Sequence, residues 1–143
     1  MRRSKVEVGM HVAWATKGRE PLLTPDIERD VYRCIENEAK RAGCTVFAVN
    51  GMPDHVHLLI HFSATVSIAE LLKRVKGVSS AMVNDLNNHK TLFRWQEGYC
   101  ARGVSHTNIP RVIAYVENQK RHHASGKLVA ELEETDEEVE DTE

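Results

Sequence analysis

The sequence predicts an α+β domain built on an antiparallel sheet, and three patterns predict it. Apolar residues alternate with polar ones around residues 6–14 and again at 55–62, the period of a strand with one buried face. Apolar residues recur every third or fourth position over 27–39 and 68–86, the period of a helix. Taken in order with the intervening segments, the chain reads strand, helix, strand, strand, helix, strand. That order is the split βαβ of ferredoxin-like domains, which packs its helices on one face of the sheet and leaves the other free. One further helix, near the C-terminus, remains to cover the free face.

Each element has its own justification. Val6, Val8, Met10, Val12 and Trp14 alternate with Glu7, Gly9, His11 and Ala13 to give the first strand. Thr24-Pro25 is a helix start, Ile27, Val31, Ile35 and Ala39 form one face, and Gly43 ends a helix over about 25–42. Cys44–Asn50 is β-prone, Gly51-Met52-Pro53-Asp54 has turn chemistry, and His55–Phe62 is a strand, so a hairpin is expected. Ser67-Ile68-Ala69-Glu70 has capping-box spacing and opens a second helix reaching about Asn87. Tyr99–Val104 reads as a fourth strand despite Gly103, and a last helix starts near Asn108 or Ile109 with Ile109, Val112, Ile113 and Val116 as its packing stripe.

A chain of 143 residues with 41% hydrophobic and 28% charged content suits one globular domain. No apolar run approaches membrane-spanning length and the N-terminus lacks the apolar stretch of a signal peptide, so a cytoplasmic protein without a membrane partner is expected. Cys34, Cys44 and Cys100 are widely spaced and odd in number, which argues against a disulfide framework and against a structural zinc site. The net charge of −2 hides an asymmetry. Residues 131–143 hold nine carboxylates and no cation, while residues 1–130 carry 19 Lys and Arg against 12 Asp and Glu. The division expected is therefore a basic body over 1–130, suited to a polyanion, and an acidic tail from 131 too poor in apolar residues to fold.

The chemistry gathers in two places. His55 and His57 are two apart on a strand, so both project from one face while Val56, Leu58 and Ile60 project from the other. Two such imidazoles can share a metal, although a histidine on a sheet is also commonly a hydrogen-bonded structural residue. Tyr115 and Gln119 lie one helical turn apart at the edge of the last helix's stripe, with His122 and His123 a turn beyond. Two imidazoles and an amide oxygen make a charge-neutral site with open positions, suited to Mg²⁺ or Mn²⁺ shared with a phosphate oxygen. A phenol has an ordinary pKa near 10, so its attack on phosphorus at neutral pH needs such electrophilic help.

These segments resemble the single-tyrosine HUH transposases of the smallest bacterial insertion sequences and their relatives tied to repetitive extragenic palindromes. The resemblance rests on His11-Val12-Ala13-Trp14 with Lys17 and Arg19, Met52-Pro53-Asp54-His55-Val56-His57-Leu58-Leu59, Lys76-Gly77, Trp95-Gln96-Glu97-Gly98-Tyr99, and Tyr115-Val116-Glu117-Asn118-Gln119 followed by His122-His123. It implies that His55 and His57 bind the metal, that Tyr115 is the nucleophile, and that Gln119 is the third ligand, with His123 as the alternative. It also implies a homodimer in which each final helix can complete the partner's site. The implied substrate is single-stranded DNA folded into hairpins at element ends, cut and rejoined through a 5′-phosphotyrosine. His11, Lys73, Arg74, Lys76 and Trp95 are then the candidates for DNA contact.

Three rivals stand beside this reading, one of them non-catalytic. A non-catalytic hairpin-binding module could use the same sheet without a metal, but it gives no chemical reason for His55, His57, Tyr115 and Gln119 together. A replication initiator could share the His pair and the tyrosine, though such proteins usually carry further domains. A histidine-triad nucleotide hydrolase would need histidine at Leu59, between His57 and His61, and fails there.

Overall fold

The computed structural model describes residue 2 and residues 8–62 and 65–136. Within it the first alternating segment forms β1 (Gly9–Ala15); Val6 and Glu7, expected in the same strand, lie outside the described residues. Lys17 and Arg19 fall beyond the strand, in a 3₁₀ turn whose middle residue Gly18 has φ +62°. Helix α1 (Pro25–Arg41) starts with Pro25 in the first turn, where a missing N–H costs nothing. It buries Val31, Ile35 and Ala39 and ends before Gly43, whose φ of +88° favours glycine.

The expected hairpin is tighter than its turn residues suggest. Strand β2 (Thr45–Met52) runs on through Gly51 and Met52, leaving only Pro53 and Asp54 between it and β3 (His55–His61). Gly51 is needed by that close approach, because a Cβ there would sit 2.2 Å from the His55 carbonyl oxygen. Helix α2 (Ile68–Leu86) is capped as its sequence predicts, with the Ser67 side chain accepting from the Glu70 N–H, and β4 (Cys100–Val104) completes the sheet.

The strand order is β2-β3-β1-β4 with every neighbouring pair antiparallel, the ferredoxin-like arrangement. Pleating then divides the core. Val12, Trp14, Val56, Leu58 and Ile60 face α1 and α2, with Leu71, Leu72 and Val75 in the same cluster. Ala48, Leu59 and Val104 face the other way, against Ile109, Val112 and Val116 of α3 (Ile109–Glu117). The free face is covered, and the cover carries Tyr115.

The last helix differs from its expected form. It breaks at Asn118 (φ −102°, ψ 23°) and resumes as α4 (Gln119–Ser125), which ends on Gly126 in the left-handed region. The acidic segment also differs. It was expected to lack structure from residue 131, but a helical turn, α5 (Ala130–Glu133), places Leu132 against the second cluster and buries Thr135. Residues 137–143 of that segment lie outside the described residues. Among the described residues no helix is long and apolar enough to cross a membrane, and the three cysteines form no disulfide.

Candidate active site

The pleat of β3 sends His55 and His57 under the covering helices, where His55 is 3% exposed and His57 fully buried. Each ring is anchored through its Nδ1. His55 Nδ1 lies 2.7 Å from Asp54 Oδ1, and His57 Nδ1 lies 2.9 Å from Nε2 of His11, diagonally across the ladder on β1. With the ring proton on Nδ1 in these bonds, the Nε2 lone pair is left free to bind an ion. Burial disfavours a charge on His55, but the Glu133 and Asp54 carboxylates outweigh it and raise its pKa. Burial prevails at His57 and lowers its pKa. His11 is lowered to about 3 by burial and by His57, so it stays neutral and can accept the His57 Nδ1 proton.

Two further groups converge on this pair. His123, from α4, brings its ring centroid within 4.9 Å of His55's. Glu133, from α5, places Oε1 3.0 Å from His123 Nε2, 3.1 Å from His55 Nε2 and 3.4 Å from His57 Nε2. Donor atoms of all four residues lie within 4.8 Å of one another. Although short, the contacts to His55 and His57 lack hydrogen-bond alignment, so both Nε2 atoms are buried without a hydrogen-bond partner. Separations near 3 Å without N–H alignment fit donors arranged to share one ion at about 2.1 Å. The donor chemistry agrees: imidazole nitrogens and a carboxylate can together hold a divalent transition ion. Burial alone would raise the Glu133 pKa, but the nearby His55 and His57 imidazoles and the Tyr115 hydroxyl, which donates to it, hold its carboxylate far below the usual range.

Gln119 stands beside these donors and is fully buried. Its Oε1 is 3.1 Å from His123 Nε2 and its Nε2 is 3.4 Å from Glu133 Oε2. Both candidates for the third ligand are therefore brought to the site, His123 with a nitrogen among the clustered donors and Gln119 bonded to it.

Tyr115 reaches the same place from α3. Its ring centroid is 6.2 Å from that of His57 in the same chain, so a second copy is not required to assemble these groups. His122 stacks on the Tyr115 ring at 4.7 Å and 20°. The Tyr115 hydroxyl donates to Glu133 Oε2 and accepts from the Val129 N–H at 3.1 Å. Burial and the Glu133 bond raise its pKa, partly opposed by Val129. Beside it opens a cleft of about 550 Å³, lined in part by Arg102, Arg111, Arg121 and His122.

The candidate DNA contacts are distributed differently. His11 is 1% exposed beneath His57, and its ring bonds His57 from behind the site. Trp95 packs edge-on against Trp14 and Phe93 and donates its indole N–H to Ser79, half-buried at the edge of the core and lining a groove. Lys76 donates to the carbonyls of Gln96 and Gly98, fixing the loop before β4. Lys73 and Arg74 are exposed, and Lys73 borders a groove with Lys17 and Arg94. Sequence reasoning missed Glu133, one carboxylate in an acidic run, and Asp54 as the anchor of His55.

With this geometry in hand, the comparisons decide the family. The model described as "Transposase IS200 like" matches residues 4–119. This chain belongs to the IS200-like transposase family. The ISDra2 transposase TnpA of Deinococcus radiodurans is 27% identical over 114 residues, covering 76% of this chain and 81% of that one. A solved transposase structure from D. radiodurans R1, also 27% identical, covers 83% of this chain and 96% of its own with a TM-score of 0.64. A REP-associated tyrosine transposase bound to a REP hairpin is 11% identical with a TM-score of 0.63, covering 90% of this chain and 74% of that one, a likeness of fold. The family acts in DNA transposition, which implies DNA cleavage and strand transfer.

Proposed function

We propose that this transposase cuts and rejoins single-stranded DNA at hairpin-flanked ends through a 5′-phosphotyrosine on Tyr115, assisted by a divalent metal held by His55 and His57 with His123 or Gln119. One observation carries the reading: the phenol lies against a buried His pair whose Nε2 atoms converge without hydrogen-bond partners. A bound Mg²⁺ or Mn²⁺ would supply electrophilic polarisation of the phosphate. Asp54 and His11 orient the two rings, and α3 carries the Tyr115 oxygen to the edge of the His cluster. As the Tyr115 oxygen bonds phosphorus, the bond to the 3′-oxygen breaks and a free 3′-hydroxyl is left. The phosphotyrosine keeps the energy of that bond, so a second 3′-hydroxyl can reverse the step without a nucleotide cofactor.

Arg102, Arg111 and Arg121 beside Tyr115, with Lys73 and Arg74 on α2, offer cations to a phosphate backbone. The hairpin held by one structural neighbour suggests the same substrate class here. A homodimer would hold two complete sites rather than build each from two chains. Incubating the protein with single-stranded DNA from the ends of its element, with Mn²⁺ or with EDTA, tests the chemistry. A denaturation-resistant protein–DNA species should form with the ion and be lost with the chelator. Equal yield in EDTA would overturn the metal's part, and no species under either condition would favour a hairpin-binding protein without catalysis.

A further inference from the structure

The acidic segment has a specific engagement with the site that its composition hides. Glu133 Oε1 lies among the Nε2 atoms of His123, His55 and His57, while Glu133 Oε2 accepts the Tyr115 hydroxyl and sits 3.4 Å from Gln119 Nε2. A single carboxylate thus spans from the candidate metal donors to the candidate nucleophile. A scissile phosphate has to make the same span, with one oxygen toward the ion and its phosphorus beside the Tyr115 oxygen. Both anions cannot occupy it together.

We propose that Glu133 is an exchangeable ligand, completing the metal site before substrate arrives and giving up its place to the DNA phosphate. This rests on the metal-assisted reading above. The spacing of Glu133 Oε1 from three imidazole nitrogens is that of donors sharing an ion. In this position Glu133 accepts the Tyr115 hydroxyl's hydrogen bond and fills the place a scissile phosphate would take.

The attachment of the segment suits release. Arg102 bonds the Glu131 carbonyl at 3.0 Å and Glu134 Oε2 at 2.7 Å, and Arg19 donates to Thr135 at 2.9 Å. The Arg102–Glu134 pair is exposed on both sides, the kind of contact that contributes little in water. Arg102 also lines the basic cleft beside Tyr115, so a phosphate entering there competes with Glu134 for the same guanidinium while displacing Glu133 from the histidines. The bonds exchanged are carboxylate for phosphate at both points.

The test uses full-length protein, wild type and the E133Q and H57A variants, with Mn²⁺ and oligo(dT) as probes. E133Q keeps the side chain's volume and removes its charge. Calorimetry without DNA should show Mn²⁺ binding weakened by E133Q by about tenfold or more, on the scale of lost metal-site contacts, and weakened further by H57A. In saturating Mn²⁺, fluorescence anisotropy should show E133Q binding oligo(dT) several-fold more tightly than wild type, since a neutral amide is displaced by phosphate more readily than a carboxylate ligand. Unchanged Mn²⁺ affinity in E133Q with a clear loss in H57A overturns the ligand role and leaves the metal site standing. Weaker Mn²⁺ binding without tighter oligo(dT) binding overturns the exchange. Unchanged Mn²⁺ affinity in H57A overturns the metal-assisted reading itself and this proposal with it.

Discussion

His57 and His11 share a 2.9 Å bond between Nδ1 and Nε2, with both rings buried and 46 residues apart in the chain. Pairing of β1 with β3 creates it, because Ala13 faces His57 across the ladder and His11 lies two residues along the same face. The bond sets the tautomer that turns His57 Nε2 toward the site, provided that His11 remains neutral.

That condition has a measurable consequence in acid. The His11 pKa is about 3 in the folded protein and near 6.5 when unfolded, so below about pH 6.5 the unfolded chain binds the extra proton and stability falls with pH. From pH 7 to pH 4.5 this one group should remove about 2 kcal/mol of stability. H11Q keeps an acceptor for His57 and lacks the titration, so urea melts across that range should show a smaller loss than in wild type. Parallel losses would assign the acid sensitivity to other groups.

Y115F should leave the fold and the affinity for single-stranded DNA nearly unchanged, since it removes one oxygen at a ring held by His57 and His122. Covalent attachment should vanish with it. The variant also loses the bonds to Glu133 and Val129, and any loss of stability should stay within the range of two hydrogen bonds, about 2 kcal/mol. An adduct surviving in Y115F would reassign the nucleophile.

D54N tests the anchor of His55. It removes a carboxylate that raises the His55 pKa, so the imidazole should titrate at lower pH, a shift visible by histidine NMR. Its altered outer-shell bond should weaken Mn²⁺ binding by about 10-fold. No movement of the His55 resonance would mean that Glu133 alone sets its charge.

Since one chain assembles the whole cluster, mixing Y115F with H57A protein should give no more adduct than either variant alone. Recovery in the mixture would show that the final helix exchanges between copies and completes the partner's site.

Much of this was legible in the chain because pleating and helical periodicity are local. His55 and His57 had to share a face, and Val56, Leu58 and Ile60 had to face α1 and α2. Tyr115 could be placed on a packing helix for the same reason. The break at Asn118 was not legible, since Asn is an ordinary helix residue and only tertiary packing selects the bend that buries Gln119 and turns His123 inward. The burial of His11 was not legible either, because a strand register, invisible in its own neighbourhood, places it under His57. Glu133 was hidden by its company: among nine carboxylates in 131–143, composition cannot single out the one whose neighbours Leu132 and Thr135 anchor the segment.

The most direct test of tyrosine-mediated cleavage is to locate the covalent bond. The denatured adduct, digested with trypsin and nuclease, should yield by tandem mass spectrometry one nucleotide-modified peptide, with the mass of a 5′-linked nucleotide on Tyr115. A modification on Tyr32, Tyr99 or a histidine, or a DNA product cut without any protein-linked nucleotide, would contradict it.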